Sequence, residues 1–555
     1  MPLGRLGLKR ALGILAAASA LAFLSAADSS SSAPDRETVR ILPADSAATL
    51  EAKAARVVPA ERQVAWQELE FQAFVHFGMN TFTGREWGQG TEDPRLFNPT
   101  DFDAKQWLET FKAAGMRGVV FSAKHHDGFC LWPSRFTDHS VARSPWRGGQ
   151  GDAVREVAEA CRQAGLKFGV YLSPWDRHER TYGDSPPYNT FFLNQLRELL
   201  TQYGEISEVW FDGACAEGPN GKRQVYDWGG YWALIRQLQR GAVISIMGPD
   251  VRWIGNEAGV TRESEWSVIP TSQLEDWPAE KEPGGIAGIN AQAPDLGSLR
   301  AIAEVGRRGG RLLWYPGQVD VSIRPGWFYH AAENMKVKTV GHLLDIYYTS
   351  VGGNAQLLLN VPPDRRGRVH ENDVLSLREL GETLRQTFAE NAAAGARGAA
   401  SSVRGLGEGP EASVDGDFRT AWAAPDGVTR ATIEYDIGEG RAFNTALLQE
   451  NIRAGQRISS FSLDVFTGGD WKEIARGTTV GYKRLLRFPT VAASRVRVRI
   501  LASRLSPTLA EFGLFLDPSR AAARPTIVPI PVETPGVRNP VLNLNGTWKF
   551  APEPP

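Results

Sequence analysis

The sequence is poor in cysteine and has no long run of basic residues. Only three of its 555 residues are Cys, so disulfides cannot be the main source of stability, even in an exported protein. Lys and Arg total 62, Asp and Glu total 63, and no basic stripe interrupts the chain. Nucleic-acid-binding proteins need such a stripe to neutralise phosphates. We therefore expect stability from hydrophobic cores, and no nucleic acid among the partners.

Apolar and aromatic residues are abundant instead. Hydrophobic residues make up 42% of the chain, and 17 residues are Trp. This composition is too apolar for a largely disordered protein, and 555 residues exceed the size of one ordinary domain. The sequence therefore predicts two or three packed domains and excludes a single small binding module.

The N-terminus has the pattern of a secretory signal. Arg5, Lys9 and Arg10 precede an apolar run over residues 11–24, and small residues follow it. We predict a signal peptide over residues 1–27 that is cleaved near Ala27. The mature chain would then be exported to the periplasm or the cell exterior, without stable membrane association. The alternative is an uncleaved anchor, but the run is short for a bilayer span.

Residues 61–390 alternate short apolar strands with amphipathic helices. Such alternation predicts a parallel sheet with right-handed crossovers, and eight units over about 300 residues fit a closed (β/α)8, TIM-like barrel. No Gly-rich dinucleotide fingerprint follows the first strand, which disfavours an open doubly wound sheet. The predicted strands are 73–77, 118–123, 167–172, 208–211, 242–247, 265–269, 311–315 and 355–361, and the clearest helices are 104–114, 152–164 and 190–203.

The flanking segments differ in composition from the barrel. Residues 28–60 are Ser/Ala-rich, which predicts an N-terminal tether or a loosely packed entry helix. Small residues at 391–402 indicate a linker. Residues 403–517 alternate polar and apolar positions between Gly and Asp turns, which is typical of an antiparallel β-sandwich. The tail 518–555 is Pro-rich and contains one isolated predicted strand at 541–550.

Polar clusters follow the first four predicted strands. The carboxyl ends of the strands in a parallel barrel meet at one face, where active sites lie. Three of the eight histidines belong to these clusters and are therefore expected at one barrel mouth. The clusters are HFGMN at 76–80, KHHDG at 124–128, YLSPWD at 171–176 and WFDG at 210–213.

Two carboxylates are candidates for catalysis at this mouth. Asp212 follows a strand directly, so its side chain would be rigid and partly desolvated, as a nucleophile or acid/base requires. Its simpler interpretation is a cap for the following turn. Glu257 lies in the loop after the fifth strand, beside Trp253 and Ile254, which could desolvate it and raise its pKa. The alternative is an ordinary solvated glutamate.

Two carboxylates with Trp and His around a barrel mouth suit glycoside hydrolysis. A metal-dependent hydrolase is the competing class, because His125, His126 and Asp127 could ligate zinc. Adjacent residues of a strand point to opposite faces, so the two histidines could share one metal only if the strand ends before them. We favour the glycosidase and expect neither a catalytic metal nor a cofactor.

Ordered motifs over residues 65–388 carry a resemblance to a known family. They are HFGMNTF at 76–82, EW at 86–87, FSAKHHDGFCLWPS at 121–134, YLSPWD at 171–176 and EVWFDG at 208–213. In this order they resemble glycoside hydrolase family 29, the retaining α-L-fucosidases. Several long motifs in one order are a specific signal, whereas one HHDG would not be.

The resemblance implies roles for particular residues. Asp212 would be the nucleophile that forms a covalent fucosyl-enzyme. The segment RWIGNEAG at 252–259 resembles the branch that acts on α-1,3- and α-1,4-linked fucose, in which Glu257 would be the general acid/base. Arg252 and Arg262 either steady the nucleophile or lie at the surface. The implied fucose-binding residues are His76, Glu86, Trp87, His125, His126 and Tyr171, with Trp266 and Trp327 as further candidates.

A second, shorter resemblance lies in the predicted sandwich. ASSV at 400–403 and DGDFRTAW at 415–422 are similar to discoidin-like carbohydrate-binding modules. This resemblance implies glycan binding or a purely structural brace, and a possible structural Ca²⁺. The expected partner of the whole protein is a fucosylated oligosaccharide or glycoprotein glycan. A non-catalytic receptor for such glycans is the alternative from another class.

Overall fold

The computed structural model of the protein describes residues 37–271, 285–286 and 289–521. The predicted signal peptide 1–27 and the predicted tail strand 541–550 lie outside these ranges. An eight-stranded parallel barrel is followed by an antiparallel β-domain, so the predicted fold class is confirmed. Within the described ranges, no helix has the length and apolar character needed to cross a membrane.

A small N-terminal unit precedes the barrel. It consists of β1 (Thr38–Ile41), α1 (Ala47–Ala54) and α2 (Glu61–Gln67). The Ser46 hydroxyl accepts a hydrogen bond from the Thr49 amide at 3.2 Å, which satisfies a free N–H and begins α1. Leu50 of α1 packs in a cluster with Ile302 and Leu312. Part of the segment 28–60, which was expected to be a tether or entry helix, is therefore a packed strand and helix.

The first half of the barrel contains five parallel strands. Its elements are β2 (Phe71–Val75), α3 (Met79–Thr83), α4 (Ala104–Ala114), β3 (Gly118–Lys124), α5 (Ala153–Ala164), β4 (Lys167–Leu172), α6 (Ser185–Gln202), β5 (Glu208–Phe211), α7 (Trp228–Leu238) and β6 (Val243–Ile246). Asp103 caps α4 by accepting from the Gln106 amide at 3.0 Å. Gly115, in the left-handed region at φ 92°, ends it. The predicted helix 104–114 is thus confirmed, with Trp107 and Phe111 on its buried face.

The stretch 252–387 contains the last three barrel strands, together with strands of two smaller sheets. Its elements are β7 (Arg252–Trp253), β8 (Val268–Thr271), β9 (Gly285–Ile286), β10 (Ile289–Asn290), α8 (Leu299–Gly306), β11 (Gly310–Trp314), β12 (Gly317–Ser322), α9 (Val340–Ser350), β13 (Ala355–Asn360) and α10 (Glu371–Thr387). The barrel strands run in the order β6-β5-β4-β3-β2-β13-β12-β7. A parallel bridge between Ser245 and Val251 joins β6 to the segment that leads into β7.

Two predicted barrel strands, 265–269 and 311–315, are wrong as barrel members. Strands β8 and β11 pair antiparallel with each other, and β1 extends the pair into a separate three-stranded sheet. The barrel uses β7 and β12 instead. Strand β7 is too short to give an apolar run, and β12 alternates Gln318, Asp320 and Ser322 with valines. A search for apolar strands therefore misses β7 because it has two residues, and misses β12 because alternate residues of β12 are polar.

A hydrogen-bonded carboxylate occupies the barrel interior. The side chain of Glu208 accepts from Ser245 Oγ at 2.6 Å and Gln318 Nε2 at 2.9 Å. It also accepts from Trp66 Nε1 at 2.9 Å and Gln72 Nε2 at 2.8 Å. Burial raises the pKa of Glu208, and the four donors satisfy the carboxyl oxygens. The network ties β2, β5, β6 and β12 together beneath the polar mouth.

The β-domain comprises residues 397–515. Its strands are β14 (Arg397–Ala400), β15 (Trp422–Ala423), β16 (Ala431–Gln449), β17 (Ile458–Thr467), β18 (Asp470–Gly477), β19 (Arg484–Ser503), β20 (Thr508–Leu509) and β21 (Glu511–Phe515), and helix α11 (Pro518–Ala521) follows them. The main sheet has the order β14-β16-β19-β17-β18, with β21 on β16, while β15 pairs with β20. Trp422, Tyr435 and Phe461 are buried in its core. Strand β14 falls within the stretch 391–402 expected as a linker.

Candidate active site

A cavity of about 350 Å³ opens at the carboxyl ends of the barrel strands. We call it the mouth cavity. Its size lies in the range typical of small-molecule sites. Eight predicted site residues line it, namely His76, Glu86, Trp87, His125, His126, Asp212, Glu257 and Trp327, together with Phe74, Trp210, Gly213, Ala214, Ile246, Trp253 and Asp320.

Asp212 follows β5, and both of its carboxyl oxygens are held in place. Oδ1 accepts from the Ala214 amide at 2.7 Å, and Oδ2 accepts from the Tyr171 hydroxyl at 2.9 Å. His126 Nε2 lies 3.8 Å from Oδ2. Burial, with the charge of Asp212, raises the pKa of Tyr171 well above its usual value, so the phenol remains a donor. The carboxylate is therefore oriented before any ligand binds.

Tyr171 contacts Asp212 but does not line the mouth cavity. Its side chain is fully buried in β4 and stacks on Trp210 with ring centroids 5.2 Å apart. We expected it to line a sugar pocket, and the structure places it one layer deeper. Its observed contact is with the candidate nucleophile.

The proton positions on two histidines follow from their partners. Asn360 donates its amide to Trp327 O at 2.8 Å, so its oxygen faces His76 Nδ1 at 2.9 Å and accepts from it. Ser173 Oγ donates to Trp175 O at 2.6 Å and accepts from His126 Nδ1 at 2.7 Å. With Nδ1 protonated on both rings, each neutral histidine keeps a lone pair on Nε2.

His125 has the opposite arrangement. Asn80 donates its amide to Glu86 O at 3.1 Å and also approaches His125 Nδ1 at 3.5 Å. His125 therefore accepts at Nδ1 and keeps its proton on Nε2. Burial lowers the pKa of His76 to about 4 and also lowers the pKa values of His125 and His126. Three neutral rings thus provide both donors and acceptors, as recognition of several hydroxyl groups requires.

The two histidines of the HHDG motif both reach the mouth cavity. Strand β3 ends at Lys124, so the alternation of a strand no longer separates the side chains of His125 and His126. Their ring centroids are 4.1 Å apart. Within the described part of the chain, no group of three or more His, Cys, Asp or Glu side chains is placed to hold a metal ion. A Ca²⁺ ion in the β-domain stays a prediction.

Glu86 joins two loops at the edge of the cavity. Oε2 accepts from the Trp327 amide at 2.8 Å, and Oε1 lies 2.6 Å from His330 Nε2. Trp87, the next residue, is 55% exposed. Its ring stands edge-on to His126 and Trp175 at centroid distances of 5.5 and 5.4 Å. An exposed ring braced in this way offers an apolar surface for a sugar face.

Glu257 approaches the cavity from the loop after β7. Its Oε2 accepts from Trp327 Nε1 at 3.3 Å. Partial desolvation at the cavity wall raises the pKa of Glu257, and the negative charge of Asp212 adds to the increase. A carboxyl group with a raised pKa that shares a cavity with a rigid carboxylate is the pattern of a general acid paired with a nucleophile.

A fourth carboxyl group in the cavity, beside those of Asp212, Glu86 and Glu257, escaped sequence reasoning. Asp320 extends from β12, is only 5% exposed, and accepts from Trp253 Nε1 at 2.7 Å. Burial, with the nearby charge of Glu257, raises the pKa of Asp320 to about 8. At neutral pH the group is therefore mostly an uncharged acid. Recognition of β12 as a barrel strand would have pointed to Asp320, because it shares a face with Gln318 and Ser322.

Three residues considered from the sequence lie elsewhere. Trp266 packs under the guanidinium of Arg504, 3.4 Å from its ring centroid, and so belongs to a contact with the β-domain. Arg252 and Arg262 both bind the carboxylate of Glu265. Trp266 therefore does not line the mouth cavity, contrary to our expectation. Of the two alternatives left open for the arginines, Arg252 fits neither, because it is 2% exposed and binds Glu265 rather than Asp212.

A parallel barrel whose mouth presents paired carboxylates, neutral histidines and an exposed Trp defines a glycoside hydrolase. Comparison with known families agrees. The α-L-fucosidase family model matches residues 44–277, and the F5/8 type C domain model matches residues 397–512. The chain belongs to the α-L-fucosidase family, glycoside hydrolase family 29, and carries a discoidin-like domain after the barrel.

Individual proteins show how far the similarity extends. Alpha-L-fucosidase 1 of Arabidopsis thaliana is 42% identical over 476 residues, which cover 84% of this chain and 89% of that protein. A crystal structure from Bacteroides ovatus has a TM-score of 0.76 and 46% identity, covering 90% of this chain and 79% of that one. A family 29 fucosidase from Ruminococcus gnavus in complex with fucose has a TM-score of 0.71 and 31% identity, covering 84% and 96%.

Proposed function

We propose that the protein is a retaining α-L-fucosidase that releases α-1,3- or α-1,4-linked fucose from branched oligosaccharides or glycoprotein glycans. One observation carries the proposal: Asp212 and Glu257 line the same cavity with different environments. Asp212 is an oriented carboxylate, whereas the pKa of Glu257 is raised by burial. This difference suits one group to attack and the other to donate a proton.

In the first step, Asp212 attacks the anomeric carbon of fucose. Glu257 gives its proton to the glycosidic oxygen, and the bond between that oxygen and the anomeric carbon breaks. The remainder of the glycan leaves as an alcohol, and fucose stays bound to Asp212 as an ester. The hydrogen bond from Tyr171 to Asp212 keeps the attacking carboxylate in position.

In the second step, the ionised Glu257 removes a proton from water. The resulting hydroxide attacks the anomeric carbon, and the bond to Asp212 breaks. Two inversions at the same carbon give fucose with retained configuration, and each carboxyl group recovers its starting protonation state. The chain supplies both groups, and no step calls for a cofactor.

The walls of the cavity supply contacts for the sugar. His76 and His126 present hydrogen-bond acceptors and His125 presents a donor. Sugar hydroxyl groups can therefore either donate to these rings or accept from them. Glu86 adds a carboxylate at the edge, and Trp87 offers an exposed ring. The linkage preference rests on the segment 252–259, whose similarity to the α-1,3/1,4-specific branch includes Glu257.

The test of the mechanism uses azide with two variants. Asp212→Gly should lose nearly all fucose release, and azide should restore turnover with formation of β-L-fucosyl azide. Glu257→Ala, assayed on an activated fucoside, should give the α-L-fucosyl azide, because azide replaces water in the second step. Product configuration is read by NMR. If both variants retain near-normal release of fucose, the assignment of the two roles is refuted.

The test of the linkage compares substrates on the wild-type protein. A Lewis a trisaccharide and an aryl α-L-fucoside are incubated in parallel, and free fucose is quantified. Release mainly from the trisaccharide supports the branch-specific assignment. Equal or greater release from the aryl fucoside contradicts it, while binding of the trisaccharide without release favours a non-catalytic receptor.

We propose further that the protein acts outside the cytoplasm. The basic, apolar and small-residue pattern of residues 1–27 supports export. Expression in a bacterial host and N-terminal sequencing of the secreted chain tests this, with a new N-terminus near residue 28 as the expected result. Recovery of an intact N-terminus in the cytoplasmic fraction would contradict the proposal.

A further inference from the structure

A short segment that leads into β8, residues 263–267, is held by the β-domain through the buried side chain of a glutamine. Gln456 accepts from the Ser267 amide at 2.7 Å through Oε1 and donates to Glu265 O at 3.0 Å through Nε2. The side chain is fully buried. The oxygen and the nitrogen of its side-chain amide therefore both bind the main chain of this segment.

The same segment receives two more hydrogen bonds from the β-domain. Thr478 Oγ1 donates to Glu263 O at 2.8 Å, and Arg484 Nη1 donates to the same oxygen at 3.1 Å. Together with Gln456 they clamp residues 263–267 along their backbone. These contacts lie just after the loop that carries Glu257.

The clamped segment carries a buried carboxylate that binds two arginines. Glu265 is 1% exposed and bonds the guanidinium of Arg252, which belongs to barrel strand β7. Its second oxygen accepts from Arg262 Nη1 and from the Arg262 amide, both at 3.2 Å. Glu265 thus connects a barrel strand to the far end of the Glu257 loop.

Arg262 in turn closes that loop. Its Nη1 donates to Ile254 O at 3.1 Å, and its Nε donates to Ala293 O at 2.7 Å. Ile254 and Arg262 are the two ends of the turn that contains Glu257. An unbroken series of hydrogen bonds therefore runs from Gln456, through Glu265 and Arg262, to the base of the loop.

We propose that Gln456 is a positioning residue for Glu257. By fixing Glu265, it fixes Arg262 and hence the place of Glu257 relative to the mouth cavity. The proposal rests on the proposed acid/base role of Glu257. The β-domain then contributes to proton transfer without touching the substrate, because small displacements of a catalytic group are costly to the rate.

The test uses Gln456→Met and two substrates. Methionine has a similar length but forms neither hydrogen bond. With a Lewis a trisaccharide, the leaving group needs a proton, and we expect kcat/KM to fall about tenfold. With α-L-fucosyl fluoride, fluoride leaves as an anion, and we expect kcat/KM to stay within about twofold of the wild type because no general acid is needed.

Two controls accompany this variant. Glu257→Gln should show the same discrimination between substrates, but larger, because the proton is missing altogether. Tyr482→Phe removes another hydrogen bond between the domains, from Tyr482 Oη to Glu70 Oε1 at 3.0 Å, without touching residues 263–267. Tyr482→Phe should leave kcat/KM unchanged for both the trisaccharide and α-L-fucosyl fluoride.

The outcomes separate the two proposals. If Glu257→Gln affects both substrates equally or neither, the acid/base assignment fails. If Glu257→Gln discriminates but Gln456→Met affects both substrates equally or neither, the positioning role is overturned. Should Gln456→Met fail to fold, the partly exposed Thr478→Val takes its place, and a loss confined to the trisaccharide again supports the proposal.

Discussion

Replacement of Asp320 by Asn should stabilise the protein, and by more as the pH rises. Burial, with the charge of Glu257, raises the pKa of Asp320 from 3.8 to about 8. In the unfolded chain the carboxyl group ionises near its usual pKa. Between these values the folded state binds more protons than the unfolded state, so stability is lost as the pH rises from about 4 to about 8.

The size of this effect follows from the two pKa values. One pKa unit corresponds to about 1.4 kcal/mol, and pH 7 lies about three units above the unfolded value, which gives ~4 kcal/mol. Asparagine has no charge in either state, and its amide oxygen can still accept from Trp253 Nε1. We therefore expect the Asp320→Asn variant to gain up to about 4 kcal/mol at pH 7, and only about 1 kcal/mol at pH 4.5.

Scanning calorimetry of both proteins from pH 4.5 to 8.5 measures the effect. The difference in Tm should widen with pH and level off above about pH 8. Asp138→Asn is the matched control, because that carboxylate is 83% exposed and its loss should change Tm little at any pH. A difference for Asp320→Asn that stays constant with pH would refute the reasoning.

Three further predictions concern activity. Tyr171→Phe removes the 2.9 Å hydrogen bond to Asp212 and should lower kcat/KM about 10- to 100-fold while Tm changes little; unchanged kinetics would contradict it. Trp87→Ala removes a ring that is 55% exposed, so KM should rise more than kcat falls, and steady-state rates that show the reverse would count against a binding role. Burial and the charge of Asp212 raise the pKa of Glu257 above 4.5, so its acid form persists above that pH. The value of kcat/KM should therefore fall on the alkaline side of its pH profile only at a pH above 4.5, and a fall centred at pH 4.5 would disprove this.

Much of the candidate site could be predicted from short-range patterns. His76, His125, His126 and Asp212 each follow directly after a strand of the barrel, and the ends of parallel strands meet at one mouth. The helix 104–114 was predictable because its apolar residues recur at the helical period. In each case the information lies within a dozen consecutive residues.

Residues outside such patterns were missed or misplaced. Asp320 lies on a strand whose inward face is polar, so the strand itself went unrecognised. Trp266 lies two residues before β8, which is not a barrel strand, and packs against Arg504 of the β-domain. Arg252 and Arg262 are drawn to Glu265, whose carboxylate the sequence does not mark in any way. Asp320 and Trp266 contact residues that are distant in the chain, namely Trp253 and Arg504. Arg262 is only three residues from Glu265, but the burial of that carboxylate is a property of the tertiary structure.

The sequence by itself determined six of the eight barrel strands, the family motifs and the group of polar residues at the barrel mouth, because each of these is contained in a short stretch of the chain. Only the tertiary structure decided which histidine nitrogens carry protons, why Asp320 remains an acid near neutral pH, and what holds the Glu257 loop. Those properties depend on burial and on contacts such as that between Gln456 and Glu265, which are 191 residues apart. No local pattern records such a contact, because it forms only when the β-domain packs against the barrel.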